Sequence, residues 1–158
     1  MTLQNTFAIS LLVLIATGIG SPGAQAANNL KLAPELSFSS DASSNFPILG
    51  DNLGDATVAS DRATIMFFGT AHCWNTNREA ERLVALYPKY RDKIDFVIVD
   101  LDHPSQAQRA LVTRYYKGYI PTIAVLDSHG AVLYNRAGET AGTRGDTSNL
   151  ESILQSAK

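Results

Sequence analysis

The sequence predicts an α/β fold: a mixed central β-sheet flanked by helices, carried by three observations. From Ala63 onward, short apolar runs of strand length alternate with stretches whose apolar residues recur at helical spacing. The first two runs bracket a helical stretch, and such a βαβ unit requires parallel strands. Two later runs are joined by the tight turn Asp127-Ser128-His129-Gly130, which adds an antiparallel hairpin. The resulting order, β-α-β-α-β-β-α, gives a sheet with both kinds of pairing.

Each element has its own signal. Thr64-Ile65-Met66-Phe67-Phe68 is apolar throughout, ends at Gly69, and reads as a strand buried on both faces. From Trp74 to about Tyr90, Ala80, Leu83, Val84 and Tyr87 recur at i, i+3, i+4 and i+7, with Arg78, Glu79, Glu81 and Arg82 on the other side. Pro88 is expected to kink this helix or end it early. Ile94 to Leu101 is the next strand. Pro104-Ser105 opens a second helix through Tyr116, which Gly118 ends. Thr122 to Leu126 and Val132 to Tyr134 form the hairpin. Asp146 or Thr147 caps a last helix with Leu150, Ile153 and Leu154 as its apolar face.

The 158 residues, 45% of them hydrophobic, suit one domain with a substantial core, placed at residues 62–158. Residues 27–61 are rich in Ser, Asn, Asp, Gly and Pro and read as a loop-rich segment with at most a short helix or strand. Thirteen basic and fifteen acidic side chains give a formal charge of −2. No Lys/Arg cluster is present to suit nucleic acid or an acidic surface, so neither is expected as a partner. Residues 1–26 contain no Asp, Glu, Lys or Arg, and Phe7 to Ile19 is an apolar run followed by Ala24-Gln25-Ala26. The run is shorter than the roughly 20 residues of a bilayer span but fits a signal-peptide core with a small–x–small cleavage site. The protein is therefore expected to be exported, to the periplasm or the medium, with no membrane span after cleavage. No cysteine stands at the cleavage site, so no bacterial lipoprotein anchor is expected.

Export makes the cysteine count informative, because Cys73 is the only one. An internal disulfide is impossible, which leaves a reactive thiol, a thiol paired with another molecule, or a buried inert one. Cys73 stands in Thr70-Ala71-His72-Cys73-Trp74-Asn75-Thr76, where a buried strand gives way to a helix. Unpaired N–H groups and the positive end of the helix dipole there favour a thiolate. A protonated His72 would help, and Thr76, one turn on, can offer its hydroxyl to the sulfur. The alternative is a small buried hydrophobe. His103-Pro104 follows a strand end, but a Cys73/His103 pair lacks the four-ligand pattern of structural zinc. No metal and no cofactor is expected. His129 reads as turn chemistry, and Asp100 and Asp102 as strand-end and capping residues.

The Cys73 junction, the Gly118-Tyr119-Ile120-Pro121-Thr122 segment, the strand end Asp100-Leu101-Asp102, and Gly138 after the hairpin together resemble the thioredoxin family, over about Arg62 to Lys158. In that family a strand runs into Cys-x-x-Cys at a helix N-terminus, and an Ile-Pro-Thr segment holds a cis proline beside the cysteines. The resemblance implies a thioredoxin-like fold with a cis bond before Pro121. It also implies a groove in which the backbone of Ile120 pairs with an extended substrate segment. Trp74, Tyr119 and one of Tyr115 and Tyr116 would wall that groove, the other tyrosine packing the second helix.

The departures from the family limit the chemistry. The motif is Cys-x-x-Thr, with Thr76 in place of the second cysteine, and Trp74 follows Cys73 where the family has small residues. Phe67 occupies the position at which thioredoxins bury an acid, and Ile98 that of the lysine paired with it. Without a second thiol, the intramolecular attack that releases a mixed disulfide is missing. Dithiol reduction by this chain alone is excluded. Two functions remain in front: monothiol exchange through Cys73 with a thiol- or disulfide-containing protein or small thiol, and a non-catalytic peptide-binding module. A thiol peroxidase is third, since the Thr-x-x-Cys pattern of that related family is absent. Cleavage after Ala26 would leave Ala27 as the first residue. Intact-mass measurement on protein from its native host checks this, and a mature chain that still starts at Met1 contradicts export.

Overall fold

The computed structural model describes residues 25–59, 61–139 and 147–157. The apolar run assigned to a signal peptide and the capping candidate Asp146 lie outside them. The elements are β1 (Asn28–Leu32), β2 (Ile48–Asp51), β3 (Ala63–Gly69), α1 (Trp74–Tyr90), β4 (Ile94–Asp100), α2 (Arg109–Tyr115), β5 (Thr122–Leu126), β6 (Val132–Ala137) and α3 (Thr147–Ser156). The main sheet has the order β4-β3-β5-β6. β3 is parallel to β4 and antiparallel to β5, and β5 is antiparallel to β6. The mixed sheet expected from the β-α-β-α-β-β-α order is present.

β3 is paired along both edges and every one of its residues is buried, as its uninterrupted apolar run requires. Successive side chains take opposite faces. On the face of Ile65 and Phe67, α1 packs Tyr87 edge-on against Phe96, with ring centroids 5.1 Å apart. On the face of Phe68, Tyr116 from the end of α2 lies 6.3 Å away. Fully burying each such large apolar side chain contributes about 1.5–3 kcal/mol. Along α1 the spacing read from the sequence buries Ala80, Leu83 and Tyr87.

Four differences from the sequence expectation have physical causes. Residues 27–61 carry two strands, and β1 and β2 form an antiparallel pair. Leu30 and Ile48 of that pair enter the core, while the Ala27 N–H donates to Phe96 O at 3.0 Å and the Asn29 N–H to Tyr87 Oη at 3.0 Å. The segment is therefore fastened to β4 and α1. α1 runs through Pro88 to Tyr90; only one ladder bond is forgone so near the helix end, and the Arg91 N–H still closes onto Tyr87 O at 2.9 Å. α2 starts at Arg109, because the residues before it are tied elsewhere. Ser105 Oγ donates to Gly54 O at 2.5 Å, and Gln108 Nε2 donates to Leu53 O at 2.5 Å and Ile98 O at 3.0 Å. β6 extends to Ala137, paired with Thr122.

The polar side of α1 holds a further difference. Glu79 is buried and pairs with Arg82 at 2.6 Å and with Arg136 of β6. The Glu139 side chain, 1% exposed, pairs with Arg82 at 2.9 Å and with Arg78. Alternating opposite charges turn a nominally solvated helix face into an interface with β6 and the residues after it. Burial alone would push the Glu139 carboxyl up, but hydrogen bonds and attraction from Arg78 and Arg82 hold it below its ordinary value. A depressed carboxyl contributes stability that is fully present above the unfolded glutamate range and is lost as pH falls from there through the lower folded value. Glu139→Gln should therefore cost about 3 kcal/mol at neutral pH. Its denaturation midpoint should fall less steeply than the wild type's as pH drops below ~4.3. Parallel decline of the two curves in urea titrations would contradict this account.

Candidate functional site

The C-terminal end of β3 builds the site. Phe68 pairs with Thr122 and Gly69 with Asp100, so the β3–α1 junction, the start of β5 and the end of β4 share one edge of the sheet. Gly69 is required there, since a Cβ would stand 2.5 Å from the Thr76 methyl and 3.0 Å from the Phe67 ring. That close approach seats the first turn of α1 directly on the strand end.

Cys73 is the N-cap of α1, half-buried and free, and its side chain forms no cap hydrogen bond. His72 precedes it in the left-handed region, at φ 50°, with its side chain exposed. The His72 N–H donates to Ser43 O at 3.0 Å. Thr76 is fully buried and its hydroxyl has no hydrogen-bond partner, the Cys73 sulfur included. The bond from Thr76 to the sulfur that the spacing allowed is therefore not made. The facing pair Phe67 and Ile98 is apolar and buried.

A strap from the N-terminal segment crosses this helix start, and sequence reasoning missed it. The Asp41 carboxylate accepts the Trp74 N–H at 2.9 Å and so caps α1 from outside the helix. Buried Asn77 donates to Ser37 O at 2.6 Å and to Ser43 Oγ at 2.9 Å, which in turn accepts the Ser37 N–H at 2.6 Å. The helix N-terminal donor nearest Cys73 is thus already satisfied by a carboxylate one peptide unit away. The Asp-Ala-Ser-Ser run is a generic capping composition, and nothing local in it points to a partner 33 residues on.

Across from Cys73, the Ile120–Pro121 peptide bond is cis. Pro121 is buried, and its carbonyl accepts the Gly138 N–H at 2.8 Å. Thr122 Oγ1 donates to Tyr119 O at 2.6 Å. Among the described residues, neither the N–H nor the C=O of Ile120 has a hydrogen-bond partner. Tyr119 is 71% exposed, and Trp74 is half-buried beneath the Arg78 guanidinium, 3.9 Å from its ring centroid. Tyr115 is buried in the core, and Tyr116 packs on Phe68. At the end of β4, Asp102 Oδ2 accepts the Ala71 N–H at 3.3 Å, and His103 Nδ1 lies 3.3 Å from Asp100 Oδ2. Among the described residues no group of three or more His, Cys, Asp or Glu side chains could hold a metal ion. None of their helices is long and apolar enough to cross a membrane.

No family model matches the sequence, and no curated protein does. Among solved structures, the chain is similar to oxidised thioredoxin O2 from Arabidopsis thaliana, at 18% identity and TM-score 0.48, covering 62% of this chain and 77% of that one. It is also similar to the germline-specific thioredoxin Deadhead from Drosophila melanogaster, at 20% identity and TM-score 0.48, covering 62% and 83%. The β4-β3-β5-β6 order, a helix springing from the central strand, and a proline-led β5 make the fold thioredoxin-like.

Proposed function

We propose that this is an exported protein acting in monothiol thiol–disulfide exchange through Cys73, with a protein or small thiol as partner. One observation carries the reading: a free, half-buried thiol at the β3–α1 junction shares a sheet edge with the open backbone donor and acceptor of Ile120. An extended partner segment pairing with Ile120 would bring its own sulfur to that edge. The Cys73 thiolate attacks one sulfur of the partner's disulfide; that S–S bond breaks, a mixed disulfide forms, and the other sulfur leaves as a thiolate. Release takes an external thiol, which attacks the mixed disulfide and restores Cys73. His72, exposed and adjacent to Cys73 in sequence, would exchange the proton, while Trp74 and Tyr119 offer aromatic surface for docking.

A second reading has its own support. Asp41 occupies the helix N-terminal donor, and the Thr76 hydroxyl does not reach the sulfur. Both favour a groove that binds extended peptides without chemistry at Cys73. Trapping separates the two readings. Rapid alkylation of the native host's extract, followed by non-reducing electrophoresis, should reveal a Cys73-linked adduct that persists because no internal thiol clears it. Cys73→Ser should abolish the adduct while leaving peptide binding intact. A complete lack of adduct under oxidising conditions would leave the binding module as the better account.

A further inference from the structure

At the opposite end of the sheet from Cys73 lies a cleft of about 460 Å³ between α2 and the β5–β6 turn. Its volume falls within the roughly 300–1,000 Å³ usual for small-molecule sites. β5 runs from Thr122, beside the Cys73 edge, to Leu126, which pairs with Thr64, so the two regions stand about 13 Å apart along the strand. Ala110, Leu111, Arg114 and Tyr115 line one side, since these i, i+3, i+4 neighbours share a helix face. Val58 and Leu126 give the cleft an apolar floor, and His129 and Gly130 its far lip.

The charge of this lining is one-sided. Arg114 is exposed and stacks 5.1 Å from the Tyr115 ring centroid, and no carboxylate pairs with it among the described residues. Its stacking on the ring holds the guanidinium at the cleft. Among the described residues no Asp or Glu lines the cleft. The nearest acid in the turn, Asp127, is committed elsewhere: its Oδ1 accepts the His129 N–H at 2.8 Å and the Ala131 N–H at 2.9 Å. Those two bonds hold the Asp127 carboxyl below its ordinary value, so it stays ionised and bound to the turn.

We propose that this cleft binds a small organic carboxylate with a short aliphatic tail, its head on Arg114 and its tail on Leu111, Val58 and Leu126. A planar guanidinium matches a carboxylate in two parallel bonds, and the apolar floor takes the chain. The site is separate from Cys73 and does not depend on the redox reading.

Hexanoate is the probe, titrated into the isotope-labelled protein and followed by amide chemical shifts. Saturable shifts are expected at Leu111, Tyr115, His129 and Gly130, with Trp74 and Ile120 unmoved. Hexanol, with the same tail and no charge, should bind at least about tenfold more weakly. Arg114→Gln should weaken hexanoate by a similar factor, with the remaining spectrum unchanged. Should that variant lose its fold, Ala110→Glu, which sets a negative charge at an exposed lining position, should abolish binding instead. Equal affinity for hexanol, undiminished binding in a folded Arg114→Gln or Ala110→Glu variant, or no saturable shift would each overturn the proposal.

Discussion

β3 is paired on both edges, and no residue along it reaches solvent. Its side chains must fit α1 on one face and the end of α2 on the other, and that double burial leaves no freedom in where the strand ends. The end is a glycine because the first turn of α1 sits against it, with the Thr76 methyl where a Cβ would be. Cys73 follows from this packing. It stands between a strand that cannot shift and a helix that cannot slide, on the edge where β5 begins after the cis proline.

The strap adds electrostatics to that geometry. A bare helix N-terminus offers backbone donors and a positive dipole end to whatever anion lies nearest. Here the anion in place is Asp41, held over the helix by Asn77 and Ser43 from both sides of the loop. A thiolate at Cys73 would form beside a carboxylate that already uses the nearest donor. The buried network of Glu79, Glu139 and three arginines fixes the other side of α1 against β6, so the helix that carries Cys73 is held along both its apolar and its charged faces.

The sheet and the site were legible in different degrees. Apolar runs such as Thr64 to Phe68 and the i, i+3, i+4, i+7 pattern from Ala80 to Tyr87 show their period locally, and those elements stand where the pattern put them. The placement of Cys73 at a strand–helix junction was equally visible. Contacts across long sequence separations left no such trace. The Asp41 cap, the Gln108 bonds that delay α2, and the pairing of Glu79 with Arg136 each join residues dozens of positions apart. A charged residue on a helix reads as solvated until its partner on another strand is seen. The Thr76 hydroxyl shows the converse: spacing placed it one turn from the sulfur, but packing against Gly69 turned it away from any partner.

The central proposal is that Cys73 is a working thiol of the folded protein, one residue from the Trp74 N–H that Asp41 caps. Its alkylation rate by a small electrophile at neutral pH, measured in native and denatured protein and in Asp41→Asn, tests that directly. The account predicts modification of the native wild type and a faster rate in the folded Asp41→Asn variant, where the cap's hydrogen bond can persist without its charge. A thiol that reacts only after unfolding, in the variant as in the wild type, would contradict it.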